Sequence, residues 1–236
     1  MKKLFSINLH AAPKRLLLTD INNYQQGSYM SLLLAMFGFS LAMSITPGPV
    51  NMVIISSGVN YGFGRTMPFV SGATIGFTLL LAAIGFGFYQ LLAVYPQFLR
   101  YLAILGSAYV IYIGYKIATA SDATIDIAEQ TKPRFHEGFL LQWLNPKAWV
   151  ACISGVALFS SAESHSSLMT FVLIYFLVCY TSLAIWALAG DRARLLLGTE
   201  HRVKVFNGIM GGLLILCALY LLYTQLLTGQ SGLTNL

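Results

Sequence analysis

Two short stretches hold the residue types that could do chemistry: Ser44-Ile45-Thr46-Pro47-Gly48-Pro49-Val50-Asn51 and Gln142-Trp143-Leu144-Asn145-Pro146-Lys147. Each sets a hydroxyl or amide residue directly before a proline, Thr46 before Pro47 and Asn145 before Pro146. That is the pattern of a helix start. Thr or Asn at the N-cap accepts from an orphan backbone N–H, and proline at the first helical position loses nothing by lacking its own. A helix start presents free N–H groups and the positive end of a dipole, which attract an anion such as a carboxylate. Lys147 adds a formal positive charge beside the second start, and Thr46, Asn51, Ser56, Gln142 and Asn145 add hydrogen-bonding groups. Thr46, Pro47, Gly48, Pro49, Asn51, Gln142, Asn145, Pro146 and Lys147 are therefore the candidate substrate-binding residues. No catalytic residue is assigned, because the apolar stretches hold no nucleophile elbow, carboxylate pair or metal-ligand spacing. His10, His136, His165 and His201 lie outside those stretches without ligand spacing, so no metal is expected. No Gly-rich loop ending in Lys-Ser/Thr is present, so neither nucleotide hydrolysis nor a cofactor is expected.

The elements that must position these residues are membrane helices. Of 236 residues only 14 are Lys or Arg and 8 Asp or Glu, a charged share of 9%, against about 25% in soluble domains. Charge-free runs cover residues 21–64, 66–99, 164–190 and 205–236, each longer than the ~20 apolar residues that cross a bilayer as a helix. With a mean hydropathy of +0.71, the class is an all-α membrane protein; soluble enzymes, nucleic-acid binders and disordered scaffolds are excluded. The net charge of +6 needs no nucleic acid as partner, because Lys and Arg collect in loops on the cytoplasmic side of membrane proteins. Cys152, Cys179 and Cys217 fall inside apolar stretches without paired spacing and read as plain buried thiols.

Pro, Gly and polar breaks divide the chain into six expected spans, near 31–59, 67–92, 99–118, 138–159, 168–189 and 205–227. The first, at about 43 Å for a straight helix, exceeds a hydrocarbon core of ~30 Å and must be bent, broken or extended. The breaks fall in spans one and four, about 100 residues apart, and both follow a Gly-Phe pair, Gly38-Phe39 and Gly138-Phe139. The expected fold is thus six transmembrane helices as a 3+3 inverted repeat, with the first and fourth helices broken. Discontinuous helices at corresponding positions of such repeats point to a secondary transporter's binding site. The expected organisation is an N-terminal extension (1–30), a first repeat (31–120), a linker loop (121–137), a second repeat (138–228) and a tail (229–236). Lys147, about nine residues into span four, costs at least ~2.5 to 3.5 kcal/mol to bury. Its functional reading is substrate binding or gating; the bland one is snorkelling, or capping carbonyls of a broken lead-in.

Arg65, Lys116, Lys132, Arg134, Arg192, Arg194, Arg202 and Lys204 fall in the loops after spans one, three and five, and only Arg100 in the opposite loops. This puts the former in the cytoplasm. Lys2, Lys3, Lys14 and Arg15 argue the other way, and the extension reads either as a peripheral amphipathic segment or as a start-codon artefact, with Met30 the working start. Gly72-Gly76 and Gly208-Gly212 form GxxxG pairs that let backbones approach closely, within one chain or in a homodimer. Tyr109, Tyr112 and Tyr115 face roughly one way and read first as core packing or an interfacial anchor and second as stacking on substrate.

The Ile-Thr-Pro-Gly-Pro-Val-Asn stretch at 45–51, the Gly62-Phe63-Gly64-Arg65 loop, Gly72 and Gly76, Gly106-Ser107-Ala108-Tyr109 and Phe139 to Lys147 resemble the LysE/RhtB family of amino-acid exporters. The resemblance runs from about Ser31 to Leu227. Tyr112 to Ser121 and Trp186-Ala187-Leu188-Ala189-Gly190 lean toward the branch that exports cysteine and O-acetylserine. It implies a multi-pass protein of the bacterial inner membrane that exports small amino acids or derivatives, driven by the proton gradient. The chain adds that no acid lies deep in a span, whereas a cationic side chain would need a buried partner, so a neutral substrate is expected. Asp191, with Arg192 and Arg194 beside it, reads first as a surface charge cluster and second as a proton-relay candidate. The rival readings are a non-transporting membrane scaffold or subunit and, more weakly supported, an intramembrane enzyme.

Overall fold

Hydrocarbon offers the backbone no hydrogen-bond partner, so an apolar chain must satisfy its N–H and C=O groups internally. Helix is accordingly the only regular structure among the described residues, which in this computed structural model are 14–88, 97–120, 133–160 and 165–231. In chain order they form α1 (Lys14–Ile45), α2 (Pro49–Tyr61), α3 (Phe63–Ala83, continued by a π turn over Ile84–Phe88), α4 (Gln97–Ala118), α5 (Phe135–Trp143), α6 (Pro146–Phe159), α7 (His165–Leu197) and α8 (Glu200–Ser231). Residues 1–13 of the expected extension, most of the linker with Asp122, Asp126, Glu129 and Lys132, and the tail beyond 231 lie outside the described residues.

Five segments among the described residues are long and apolar enough to cross a membrane: Gln26–Ile45, Phe63–Gly87, Arg100–Ala118, His165–Leu197 and Glu200–Tyr220. The first expected span differs from this. Its part before the break already has span length, because α1 extends back beyond Ser31, and the 13 residues of α2 follow as a separate short helix. The fourth is divided between the 9 residues of α5 and the 14 of α6. At 1.5 Å per residue neither covers a ~30 Å core alone.

The first break also differs in register. Thr46 was expected to cap a helix beginning at Pro47, but α2 begins at Pro49, with Gly48 as its N-cap in extended conformation (φ −169°, ψ 177°). The reason is the second proline: a residue before proline is pushed out of the α region, so Gly48 cannot be helical and the helix can begin only at Pro49. Thr46 instead closes α1, its hydroxyl donating to the Ala42 carbonyl. The second break matches expectation, with Asn145 as N-cap and Pro146 opening α6.

Three glycine crossings hold the helices together. A Cβ on Gly72 would sit 1.9 Å from the Phe135 carbonyl oxygen, and one on Gly138 2.2 Å from that of Phe69, joining α3 to α5. Gly58 and Gly190 join α2 to α7 in the same reciprocal way (2.5 Å to Ala187 O, 2.2 Å to Ile55 O). Gly114 and Gly211 join α4 to α8 (2.9 and 2.4 Å to each other's carbonyl oxygens). The Gly72-Gly76 pair is thus used within the chain, while Gly208 and Gly212 face open space. Gly62, at φ +82°, makes the tight turn from α2 to α3.

Through the centre runs α7, whose Phe171, Tyr175, Cys179, Leu183 and Ala187 recur every four residues and are all buried. This stripe packs against α1, α2 and α3. The outward faces carry Leu34, Phe37, Leu105, Leu173, Leu177, Ile185 and Leu216, all exposed. Such an apolar exterior suits contact with lipid rather than water.

Candidate functional site at the two helix breaks

The fold brings the two breaks into contact. Lys147 reaches from the start of α6 to the end of α1, its Nζ donating to the Thr46 carbonyl oxygen at 2.7 Å and lying 3.3 Å from Thr46 Oγ1. The approach is close: a Cβ on Gly48 would lie 3.1 Å from Lys147 Cδ, so the lysine chain would have to shift slightly to admit one. Asn51 completes the capping of α1, with its side-chain amide donating to Ser44 O at 2.9 Å and to Thr46 O at 3.3 Å. The last carbonyls of α1, which have no partner within the helix, are thus held from two sides.

The second break is closed by its own residues. Asn145 Oδ1 accepts from Lys147 N at 3.1 Å, Ala148 N donates to Asn145 O at 2.9 Å, and Trp149 Nε1 reaches back to Trp143 O at 2.7 Å. Leu144 packs so tightly on α4 that a Cβ on Gly106 would lie 1.9 Å from its carbonyl oxygen. The start of α2 has no such closure. Gly48 offers no side-chain cap, Pro49 has no N–H, and Val50 and Asn51, whose first-turn amides have no partner within the helix, line a small cavity.

That cavity has a volume of about 30 Å³ and lies between the two breaks and α7. Of the expected binding residues, Gly48, Asn51, Gln142, Asn145 and Lys147 line it. Asn51, Gln142 and Asn145 are buried and Lys147 is half-buried. Thr46 and Pro47 are exposed, and Thr46 joins the site through its carbonyl, which accepts from Lys147 and Asn51. Pro49 and Pro146 shape the helix starts without lining the cavity. Ser56 is elsewhere, within a buried amide pair in which Asn60 and Asn207 each donate to the other at 2.8 Å. Asp191 sits at the α2–α3 turn, where a Cβ on Gly62 would lie 3.2 Å from its Oδ1. Tyr112 and Tyr115 are exposed on α4.

Sequence reasoning missed the far wall. Ser44, Phe77, Ala151, Tyr175, Cys179 and Leu183 also line the cavity, with Tyr175 stacked on Phe77 at a centroid distance of 4.4 Å. The four-residue spacing of Tyr175 and Cys179 in an otherwise apolar helix is the signal that could have found them. All three cysteines are free thiols. No group of three His, Cys, Asp or Glu among the described residues could hold a metal, and none of the lining residues is an acid.

A family described as LysE type translocator matches residues 41–225, a stretch that contains both breaks, the cavity and all three glycine crossings. The chain belongs to the LysE type translocator family. It is a multi-pass membrane transporter and not an enzyme. Among curated proteins, this LysE type translocator is 28% identical over 202 residues to a cysteine/O-acetylserine efflux protein of Escherichia coli O157:H7, covering 82% of this chain and 98% of that protein. The cysteine/O-acetylserine efflux protein of Salmonella paratyphi A is 28% identical over 204 residues, covering 81% and 98%. That of Escherichia coli O1:K1 is 27% identical over 202 residues. No solved structure matches the chain.

Proposed function

We propose that this LysE type translocator exports small neutral amino acids or derivatives, such as cysteine, O-acetylserine, homoserine or threonine, across the bacterial inner membrane by alternating access around the two breaks. The observation that carries the reading is Lys147. A half-buried ammonium joins two interrupted helices at a cavity of mixed polar and apolar lining without acids. A zwitterion's carboxylate suits that ammonium and the uncapped start of α2. A cationic side chain would find no counter-charge there. The names of the relatives support both the substrate class and the outward direction.

A volume of about 30 Å³ is far below the ~300 Å³ of the smallest ordinary ligand pockets, so the breaks must part before a substrate enters. The Lys147 bond to the Thr46 carbonyl is the contact to be exchanged. A hydrogen bond involving a charged group is worth ~1.5 to 3 kcal/mol, small enough for a substrate carboxylate to replace it. An inverted 3+3 repeat gives the alternating motion its geometry. In support, α4 pairs with α8 and α3 with α7, while α1 packs on α7 as α5 packs on α3. Positive loops support a cytoplasmic position for the α2–α3 turn, and the proton gradient is the proposed driving force.

The test is efflux from preloaded vesicles. Lys147→Ala and Asn145→Ala should both export more slowly than wild type, and wild-type rates in both would refute the site. Uphill export should also stop when the pH gradient is collapsed; export that continued unchanged would refute proton coupling.

A further inference from the structure

Many hydroxyls in the helices bond back to their own helix; among the described residues Ser44, Thr74 and Ser107 are buried and do not, and of these three only Ser44 lines the cavity. Ser40, Thr66, Thr78, Thr119, Thr170 and Thr181 each donate to the carbonyl four residues earlier, at 2.7 to 2.9 Å. This is the usual way for a buried hydroxyl to satisfy itself in an apolar setting. Ser44 Oγ makes no such bond, although its residue is only 7% exposed. It lines the cavity and lies beside the Cys179 thiol and the Tyr175 hydroxyl without completing a hydrogen bond of good geometry to either. A buried polar group left unpaired is costly, so this one is poised for a partner that enters the cavity.

We propose that Ser44, Tyr175 and Cys179 form a side-chain subsite that selects short, uncharged amino acids carrying an oxygen or sulfur at the β or γ position. The inference rests on the export reading above and deepens it. Ser44, Tyr175 and Cys179 bring two hydroxyls and a thiol to the same cavity as Lys147 and the start of α2, so a short side chain extending from a carboxylate held there meets them. Ala151 and Leu183 close the rest of the wall with apolar surface. A site built to hydrogen-bond a side chain rejects the analogue that lacks the polar atom, because its own buried groups are then left unpaired.

The experiment is counterflow into proteoliposomes with the near-isosteric pair threonine and valine, and with serine and alanine. Wild type should prefer the polar member of each pair, and Ser44→Ala should lower the threonine-to-valine ratio by about tenfold, the worth of one such hydrogen bond. Cys179→Ala should lower it less, and Cys179→Ser should restore it. Ratios left unchanged by Ser44→Ala and Cys179→Ala, with a wild type that does transport, would overturn the subsite and leave the export reading intact. Absence of counterflow for every amino acid would overturn both.

Discussion

The two helix breaks look alike in sequence and are built differently. The α5–α6 break is self-contained: Asn145 caps it, Trp149 ties it to Trp143, and Gly106 lets α4 close over Leu144. The α1–α2 break depends on others. Its outgoing carbonyls are held by Asn51 and by Lys147, the latter reaching across from the other break, and its incoming helix starts at a glycine without a side-chain cap. In the proposed mechanism the α5–α6 break is the fixed post and the α1–α2 break the exchangeable contact. An alternating-access transporter needs such a pairing, with one element holding position while its neighbour changes partners.

Four substitutions can break or sharpen that comparison. Lys147→Ala has the largest expected effect. Losing a charge-assisted bond of ~1.5 to 3 kcal/mol together with the carboxylate's partner should cut export by about 10- to 100-fold. Asn145→Ala removes a cap worth ~1 kcal/mol, so export should fall by about fivefold, with a lower unfolding temperature in detergent. Gly48→Ser supplies the cap that the first break lacks. Thermal stability should rise, by up to ~1 kcal/mol if the Lys147 chain gives way, while export falls a few-fold because the α2 amides are occupied. A variant both less stable and fully active would erase the distinction between the breaks. Asp191→Asn should change export least, by about twofold at most, since the twelve residues from Cys179 to Asp191 on α7 amount to roughly 18 Å of helix. Loss of pH-gradient dependence in that variant would instead make Asp191 a proton relay.

Local chemistry was legible in the sequence and tertiary chemistry was not. Asn145, Pro146 and Lys147 behave as their order predicts, because an N-cap is decided within three residues. Thr46 does not, because Pro49 controls Gly48 and so moves the helix start two residues on. The contact between Lys147 and Thr46 joins residues 101 apart, which no local pattern encodes, although the repeat spacing of about 100 brings the same two positions into correspondence. Ser44 was quoted within the first stretch without a role, since only the structure shows that its hydroxyl forgoes the bond its neighbours make. Tyr175 and Cys179 were hidden by α7's uniform hydrophobicity, which marks the helix as apolar without telling which face meets the breaks. The division of expected span four into α5 and α6 was foreshadowed by Asn145-Pro146; the full span length of α1 before its break was not, because its polar N-terminal half reads as an extension.

The central claim is that the two breaks form one substrate site through Lys147. Counterflow of a labelled neutral amino acid by purified wild type and Lys147→Ala, reconstituted at equal amounts and checked for matching unfolding profiles, tests it most directly. The account predicts accumulation of label by wild type and at least a tenfold loss in the variant; equal accumulation by both would contradict it.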